Sequence, residues 1–143
     1  LRILMLHVDS FTSQITERGR SKFFEEIDQN LKTTTVDEAL LILASVEKAD
    51  LNPEDVAQRA TEEAAKLAGQ LKIKTIVIHP FAHLFGELST PEIAVRVLKL
   101  VEANLSQNGF KVIRTPFGWF NTLELKAKGH PLSRVARVIS TPK

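Results

Sequence analysis

The chain contains no cysteine, which rules out disulfide bridges, zinc thiolate sites and a cysteine nucleophile. It has no apolar run near the roughly 18 residues that a membrane-crossing helix needs, so no membrane partner is expected. Glycine is sparse, six residues in 143. None of them forms a Walker loop or a Gly-rich dinucleotide fingerprint, so those two phosphate cradles are excluded. There is no His-Glu-x-x-His segment. Ser10, Ser45 and Ser89 are nucleophiles only in principle, because none sits in a Gly-x-Ser-x-Gly context. Internal repeats and low-complexity segments are also lacking. Residues 1–6 are too short an apolar stretch, too soon followed by polar residues, to read as a secretory signal. A cytoplasmic setting is the expectation. The chain opens on Leu1 rather than Met, which leaves room for an initiator or upstream residues.

What is present fits one domain over residues 1–143, with 43% hydrophobic residues to build its core. The net charge of +2 hides an asymmetry. Residues 1–108 carry 12 basic and 16 acidic residues. Residues 109–143 carry Lys111, Arg114, Lys126, Lys128, Arg134, Arg137 and Lys143 against Glu124 alone. Such a basic end is either a nucleic-acid footprint or a solvated surface that happens to be basic.

Periodicity gives the element order βββαβαββ, a mixed sheet with two main helices and hence an α/β (α+β) domain. Residues 2–8 read as a buried strand that Asp9-Ser10 breaks, and residues 11–17 as a second strand. Residues 18–35 lack a clean period and read as a turn of helix or an extended loop. Residues 36–47 read as one long strand. Asn52 is a good N-cap, Pro53 suits the first helical position, and Val56, Ala60, Ala64, Leu67 and Leu71 make one apolar stripe. Residues 74–79 form a β-branched strand that Pro80 ends. Thr90 caps a second helix with Ile93, Ala94, Val97, Leu98, Val101 and Leu105 on its buried face, stopped by Asn108-Gly109. A strand over 110–114, a turn at Pro116-Phe117-Gly118 and an alternating strand over 119–127 follow.

Chemistry concentrates at the strand ends. His79 and His83 are four apart, but Pro80 argues against a helix that would place them on one metal. A metal set of His79, His83, His7 and Asp9 stays open beside a histidine held in the core by a backbone hydrogen bond. His83 is the better functional candidate, since α/β sites form at strand ends. Asn121 falls by alternation on the face of Trp119 and Leu123, where a buried amide must find partners or cost roughly 1–3 kcal/mol. Those partners are neighbouring backbone or a ligand. Trp119 and Phe120 are core aromatics or a stacking platform for adenine. Lys128-Gly129-His130-Pro131 is ordinary loop punctuation or a phosphate or ribose contact.

Four segments, in their joint order and spacing, resemble the N-terminal editing domain of archaeal threonyl-tRNA synthetases over residues 1–131. They are Ser45-Val46-Glu47-Lys48, His79-Pro80-Phe81-Ala82-His83-Leu84, Pro116-Phe117-Gly118 followed by two aromatics, and Lys128-Gly129-His130-Pro131-Leu132. That family shares its fold with D-aminoacyl-tRNA deacylases and is typically homodimeric. The resemblance implies hydrolysis of serine wrongly esterified to threonine tRNA, with the terminal 2′-hydroxyl of the tRNA assisting and neither cofactor nor metal. It implies His83 and Asn121 as catalytic positions, and Ser45, Val46, Pro80, Phe81, Ala82, Phe117, Gly118, Trp119 and Phe120 as substrate-binding ones. Backbone groups at Pro80, Ala82 and Phe117 join His83 in that reading. Lys126, Lys128, His130, Arg134 and Arg137 are the implied RNA contacts. The partners are the 3′-terminal aminoacyl-adenosine, a second copy of the chain, and a synthetase core in cis or in trans. Three departures stand out: Asn121 where the family usually has lysine, Trp119 and Phe120 where it has tyrosines, and Arg134 where it often has an acid. A non-catalytic tRNA-binding or dimerisation module and a D-aminoacyl-tRNA deacylase are the alternatives.

Overall fold

A computed structural model describes residues 1–27 and 32–140. Its spine is a single long strand, β1 (Arg2–Arg18). One edge of β1 carries β2 (Thr33–Val36) and β3 (Ala39–Ser45), both antiparallel. Its other edge carries β6 (Trp119–Asn121), β7 (Glu124–Ala127) and β8 (Arg134–Val138), also antiparallel. Beyond β3 the sheet continues in parallel through β4 (Thr75–Pro80) and β5 (Lys111–Arg114). The crossover from β3 to β4 contains helix α1 (Pro53–Leu71), and that from β4 to β5 contains α2 (Pro91–Gln107). The fold class read from the sequence is therefore the observed one, with two helices and an eight-stranded mixed sheet.

Strand boundaries differ from the sequence reading in four places. Asp9-Ser10 does not end a strand: β1 runs through it. The polar pair marks the point where β1 changes partners, and the register against β7 slips between Val8 and Ser10, a bulge that absorbs the interruption. The long strand expected over 36–47 starts earlier, at Thr33, and bends at Asp37-Glu38. Phe11↔Val36 and Val8↔Ala39 keep one register, so β2 and β3 are one line of chain interrupted at that bend. The strand expected over 119–127 is two, because Thr122 turns aside to bond β1: its N–H donates to the Gln14 carbonyl (2.8 Å) and its Oγ1 accepts from Gln14 N–H (3.0 Å). Strand β8 is an addition to the expected order. Four of its five residues are exposed, so it has no buried alternation to betray it. Within 18–35, residues 28–31 lie outside the described residues.

Both helices begin as their caps predict. Asn52 accepts from Asp55 N–H (3.1 Å), and the Thr90 hydroxyl accepts from Ile93 N–H (3.4 Å). Their apolar stripes pack on one face of the sheet, against Ile3, Met5, Leu40, Ile42, Ile76 and Ile78. On the opposite face Leu6, Val8, Leu41, Leu43 and Val77 surround Phe11, which is fully buried. Alternation along β4 sends Ile76 and Ile78 to the helices and Val77 to the Phe11 side. His79 follows Val77 and meets the Phe11 ring edge-on, 5.7 Å between centroids. Burying side chains of this size contributes about 1.5–3 kcal/mol each, so the second core fixes the path of β1 and, with it, the strands that β1 carries.

Candidate functional site

The three parallel strands all end on one side of the molecule, where open α/β sheets form their ligand crevices. There a cleft of about 550 Å³ opens. Its floor is the end of β3 (Ala44, Ser45, Val46) and of β4 (His79, Pro80). Phe81, Ala82, His83, Leu88 and Ser89 bring in the loop after β4, and Pro91, Ala94 and Leu98 the start of α2. The far wall is the turn after β5 (Pro116, Phe117, Gly118) with Trp119, Phe120, Asn121 and Leu123. Residues Gly19, Arg20 and Ser21, just past β1, close the ring.

All eleven residues expected to be catalytic or substrate-binding thus share one cleft. His83 is exposed, its ring edge-on to Phe81 at 5.5 Å. Ser45 is 2% exposed, and its hydroxyl is the one buried side-chain polar atom without a hydrogen-bond partner among the described residues. An unmet buried hydroxyl costs about 1–3 kcal/mol, and this one lines the cleft. Phe120 is half exposed and presents a free ring. Trp119 is anchored instead: its indole N–H donates to the Glu25 carbonyl (2.7 Å), and its ring meets Phe24 edge-on.

The Phe117 backbone, one of the groups the resemblance implied for the pocket, is hydrogen-bonded to Glu25 on both sides. Its N–H donates to the Glu25 carboxylate (3.1 Å) and its carbonyl accepts from Glu25 N–H (3.0 Å). Glu25 also pairs with Arg114, which reaches Glu102 at 2.9 Å. Burial alone would raise the Glu25 pKa, but Arg114 and the Phe117 N–H hold it below the ordinary carboxylate value. Segment 23–25 is in this way tied to the far wall. Gly118 permits the close approach: its φ is 92°, and a Cβ there would stand 2.6 Å from the Phe24 Cβ.

His79, weighed in the sequence as a metal ligand or a core histidine rather than as a catalytic or substrate-binding residue, has an informative position. It is 3% exposed and lines the cleft. Its Nδ1 pairs with the Thr115 hydroxyl at 2.8 Å, a side-chain bond rather than the backbone bond expected of a core histidine. Burial depresses its pKa from 6.5 to about 4, and the Asn121 side chain works weakly in the opposite direction. The imidazole is therefore neutral at physiological pH. Asn121 itself is half-buried and donates from Nδ2 to the Trp119 carbonyl (3.3 Å). Arg20, also unforeseen, places an exposed cation on the cleft. The available signals were a histidine inside a β-branched strand and a cation in a segment without period, neither distinctive in one sequence.

The five basic-end residues do not line the cleft. Lys128 pairs with Asp9 and reaches Glu38 at 3.3 Å; its pKa rises through these two carboxylates, first Asp9. His130 Nδ1 accepts from Leu132 N–H (3.2 Å), which leaves Nε2 as its protonated nitrogen in the neutral ring. That Nε2–H donates to His7 Nδ1 (2.8 Å), and His7 Nε2–H donates to Glu38 (3.0 Å). Lys128 N–H further bonds the His7 carbonyl, so the Lys128–Ser133 turn is stitched to β1. Glu38 is held below its ordinary pKa by His7 and then Lys128. His7 and Asp9 belong to this network while His79 and His83 belong to the cleft. Among the described residues no three His, Asp or Glu side chains group as a metal set. Arg137 lies 3.5 Å from Glu63, whereas Lys126 and Arg134 are exposed. Lys143 lies outside the described residues.

The cleft at the parallel strand ends has the make-up of a small-molecule site: largely apolar walls with a few polar groups, here an imidazole, an amide and an unmet hydroxyl. The family profile described as the archaea-specific editing domain of threonyl-tRNA synthetase matches residues 1–139. Proteins named threonine–tRNA ligase match nearly the whole chain: 43% identity over 97% of it in Methanocaldococcus jannaschii, 42% over 99% in Methanosphaera stadtmanae, and 39% over 97% in Thermococcus sibiricus. The chain belongs to this editing-domain family. It spans only 22–23% of the length of those relatives.

Proposed function

We propose that the chain, as one editing domain over residues 1–143, hydrolyses L-serine mischarged on threonine tRNA and spares threonyl-tRNA. The observation that carries this reading is the convergence of Ser45, Val46, Pro80, Ala82, His83, Phe117 and Asn121 on one cleft in a chain of this family. A synthetic site gains only about 1–3 kcal/mol from the methyl that distinguishes threonine from serine. A second, smaller site reverses the problem, because the extra methyl must then be overpacked or excluded. In the cleft the Ser45 hydroxyl has an unmet hydrogen bond for the seryl group, while Val46, Pro80 and Ala82 supply apolar walls.

In the reaction water adds to the ester carbonyl carbon, the bond from that carbon to the ribose 3′-oxygen breaks, and the 3′-oxygen takes up the proton. His79 is neutral and Ser45 has no base beside it. The terminal 2′-hydroxyl of the substrate orients the attacking water, and Asn121 and His83 position the ester. Phe120 offers a stacking surface to the terminal adenine. Arg20, Lys126 and Arg134, exposed cations, meet the RNA backbone. The domain acts as a homodimer in the cytoplasm with a synthetase core in the same or a separate polypeptide.

The test is deacylation of seryl-tRNA for threonine carrying either the normal terminal ribose or a 2′-deoxy one. Cleavage that disappears with the 2′-deoxy substrate is expected. Equal cleavage of both would remove the 2′-hydroxyl from the mechanism. A second reading, a tRNA-binding module without turnover, draws on Asn121 in place of the family lysine; it predicts binding of both substrates and hydrolysis of neither.

A further inference from the structure

The loop that leaves the cleft after β4 carries an aromatic ring for which the deacylation scheme above has no task. Phe85 is 99% exposed, although phenylalanine is a core residue by preference. Its φ is 67°, in the left-handed region that a bulky side chain rarely enters. We propose that Phe85 is a stacking platform for single-stranded RNA, taking the base that precedes the terminal adenosine as the 3′ strand of the tRNA enters the cleft. The inference deepens the editing reading and rests on it for the identity of the RNA.

The loop is fixed at both ends to the floor of the cleft. Phe81 N–H donates to the Ala44 carbonyl (2.9 Å) at one end, and Ser89 N–H to the Val46 carbonyl (3.1 Å) at the other. Lys48 N–H adds a bond to the Glu87 carbonyl (2.7 Å). Between these anchors Gly86 lies directly on Glu47, so closely that a Cβ there would overlap the carboxylate. Glu47 is itself buried and is paired with Arg2 at 2.9 Å. With its neighbours held, the backbone at Phe85 keeps its strained conformation, and the side chain gains no packing in return. Glycine or asparagine would adopt this φ at less cost. Strain and exposure at one position, beside a cleft, mark a residue kept for a contact made outside the chain. A ring on a fixed backbone has only two side-chain torsions to lose on binding.

The surroundings favour a base over a protein surface. Leu88, three residues on, is 52% exposed and lines the cleft, so the ring and the cleft share one rim. A stable protein interface needs about 800 Å² on each partner around an apolar centre. Here the exposed charges of Lys48 and Glu87 flank the ring. A base needs one free ring face and no more, and every base can use it. Lys48 and Glu87 are of opposite sign, so the contact is made by the ring rather than by net charge.

The test measures binding of uncharged threonine tRNA to the wild type, Phe85→Asn and Phe85→Trp over a range of salt. Asparagine tolerates the positive φ and lacks the ring; tryptophan keeps a stacking face. Phe85→Asn should raise Kd about 5- to 150-fold, the loss of one stacked base. The slope of log Kd against log salt should not change, since no phosphate contact is lost. Phe85→Trp should bind as tightly as the wild type. A tRNA with 2-aminopurine before the terminal adenosine should be quenched by the wild type and not by Phe85→Asn. In turnover, Phe85→Asn should raise KM for seryl-tRNA at constant kcat and leave kcat/KM for the seryl ester of adenosine alone unchanged. Equal tRNA affinity of wild type and Phe85→Asn overturns the proposal, as does a wild type that binds no tRNA or a Phe85→Trp variant as weak as Phe85→Asn. A change in the sedimentation of Phe85→Asn at unchanged tRNA affinity also overturns it, by assigning the ring to a contact between copies of the chain. Binding of tRNA through Phe85 without cleavage of the seryl ester would end the deacylase reading and leave the platform standing.

Discussion

Acid should unfold this domain in part through His79, and the size of the effect follows from its burial. The folded pKa is about 4 against 6.5 for a free imidazole. An unfolded chain therefore takes up the proton first. The contribution of His79 to stability is complete above pH 6.5, declines as pH falls from 6.5 towards 4, and is level below that. At 1.36 kcal/mol per pKa unit the loss is about 3 kcal/mol, a large share of the 5–15 kcal/mol that typical domains possess. Urea unfolding of the wild type and of His79→Gln between pH 8 and pH 4 isolates this amount, because every other titrating group is common to both. The wild-type curve should drop about 3 kcal/mol more steeply than the variant's across that window. Parallel curves would refute the reasoning, for they would mean that His79 charges in the folded state as readily as in water.

Further outcomes follow from the cleft walls and the basic end. Gly118→Ala should cost about 1–3 kcal/mol and lower the melting temperature, because φ is 92° and the new methyl meets Phe24; an unchanged melting temperature would show that the 23–25 segment gives way freely. His83→Ala, at an exposed position, should alter stability by no more than about 0.5 kcal/mol while reducing kcat/KM on seryl-tRNA, and a large drop in melting temperature would move His83 from the site to the core. Replacing Arg20, Lys126 and Arg134 should flatten the dependence of log affinity for tRNA on log salt by about 0.7 for each phosphate no longer neutralised. Lys128→Met should leave that slope nearly unchanged, since Asp9 and Glu38 already hold the ammonium.

Helices were the most legible part of the sequence. Asn52-Pro53 and Thr90-Pro91 announce their starts, and both apolar stripes lie where the spacing puts them. Strands β3 and β4 were legible because both of their faces are buried. Strand β1 reads as two strands because Asp9-Ser10 breaks an apolar run, whereas in space the break is a bulge between partners. Strand β8 shows no pattern because an edge strand with four exposed residues needs none. For the cleft, the turn-forming segments at His79–His83 and Pro116–Gly118 pointed to the right strand ends. Local sequence could not show that Glu25, 92 residues before Phe117, takes the Phe117 backbone N–H. Nor could it show that Lys128 and His130 direct their hydrogen bonds to Asp9, Glu38 and His7. Those pairings join residues far apart in the chain, and only the fold brings them together.

The most direct test of the editing function is the ratio of kcat/KM for the seryl and threonyl esters of threonine tRNA, measured on this domain under single conditions of pH and salt. Faster cleavage of the seryl ester by about 100-fold or more, near the upper end of what exclusion of one methyl group can supply, is the predicted result. Equal rates on the two esters, or cleavage of neither, would contradict it.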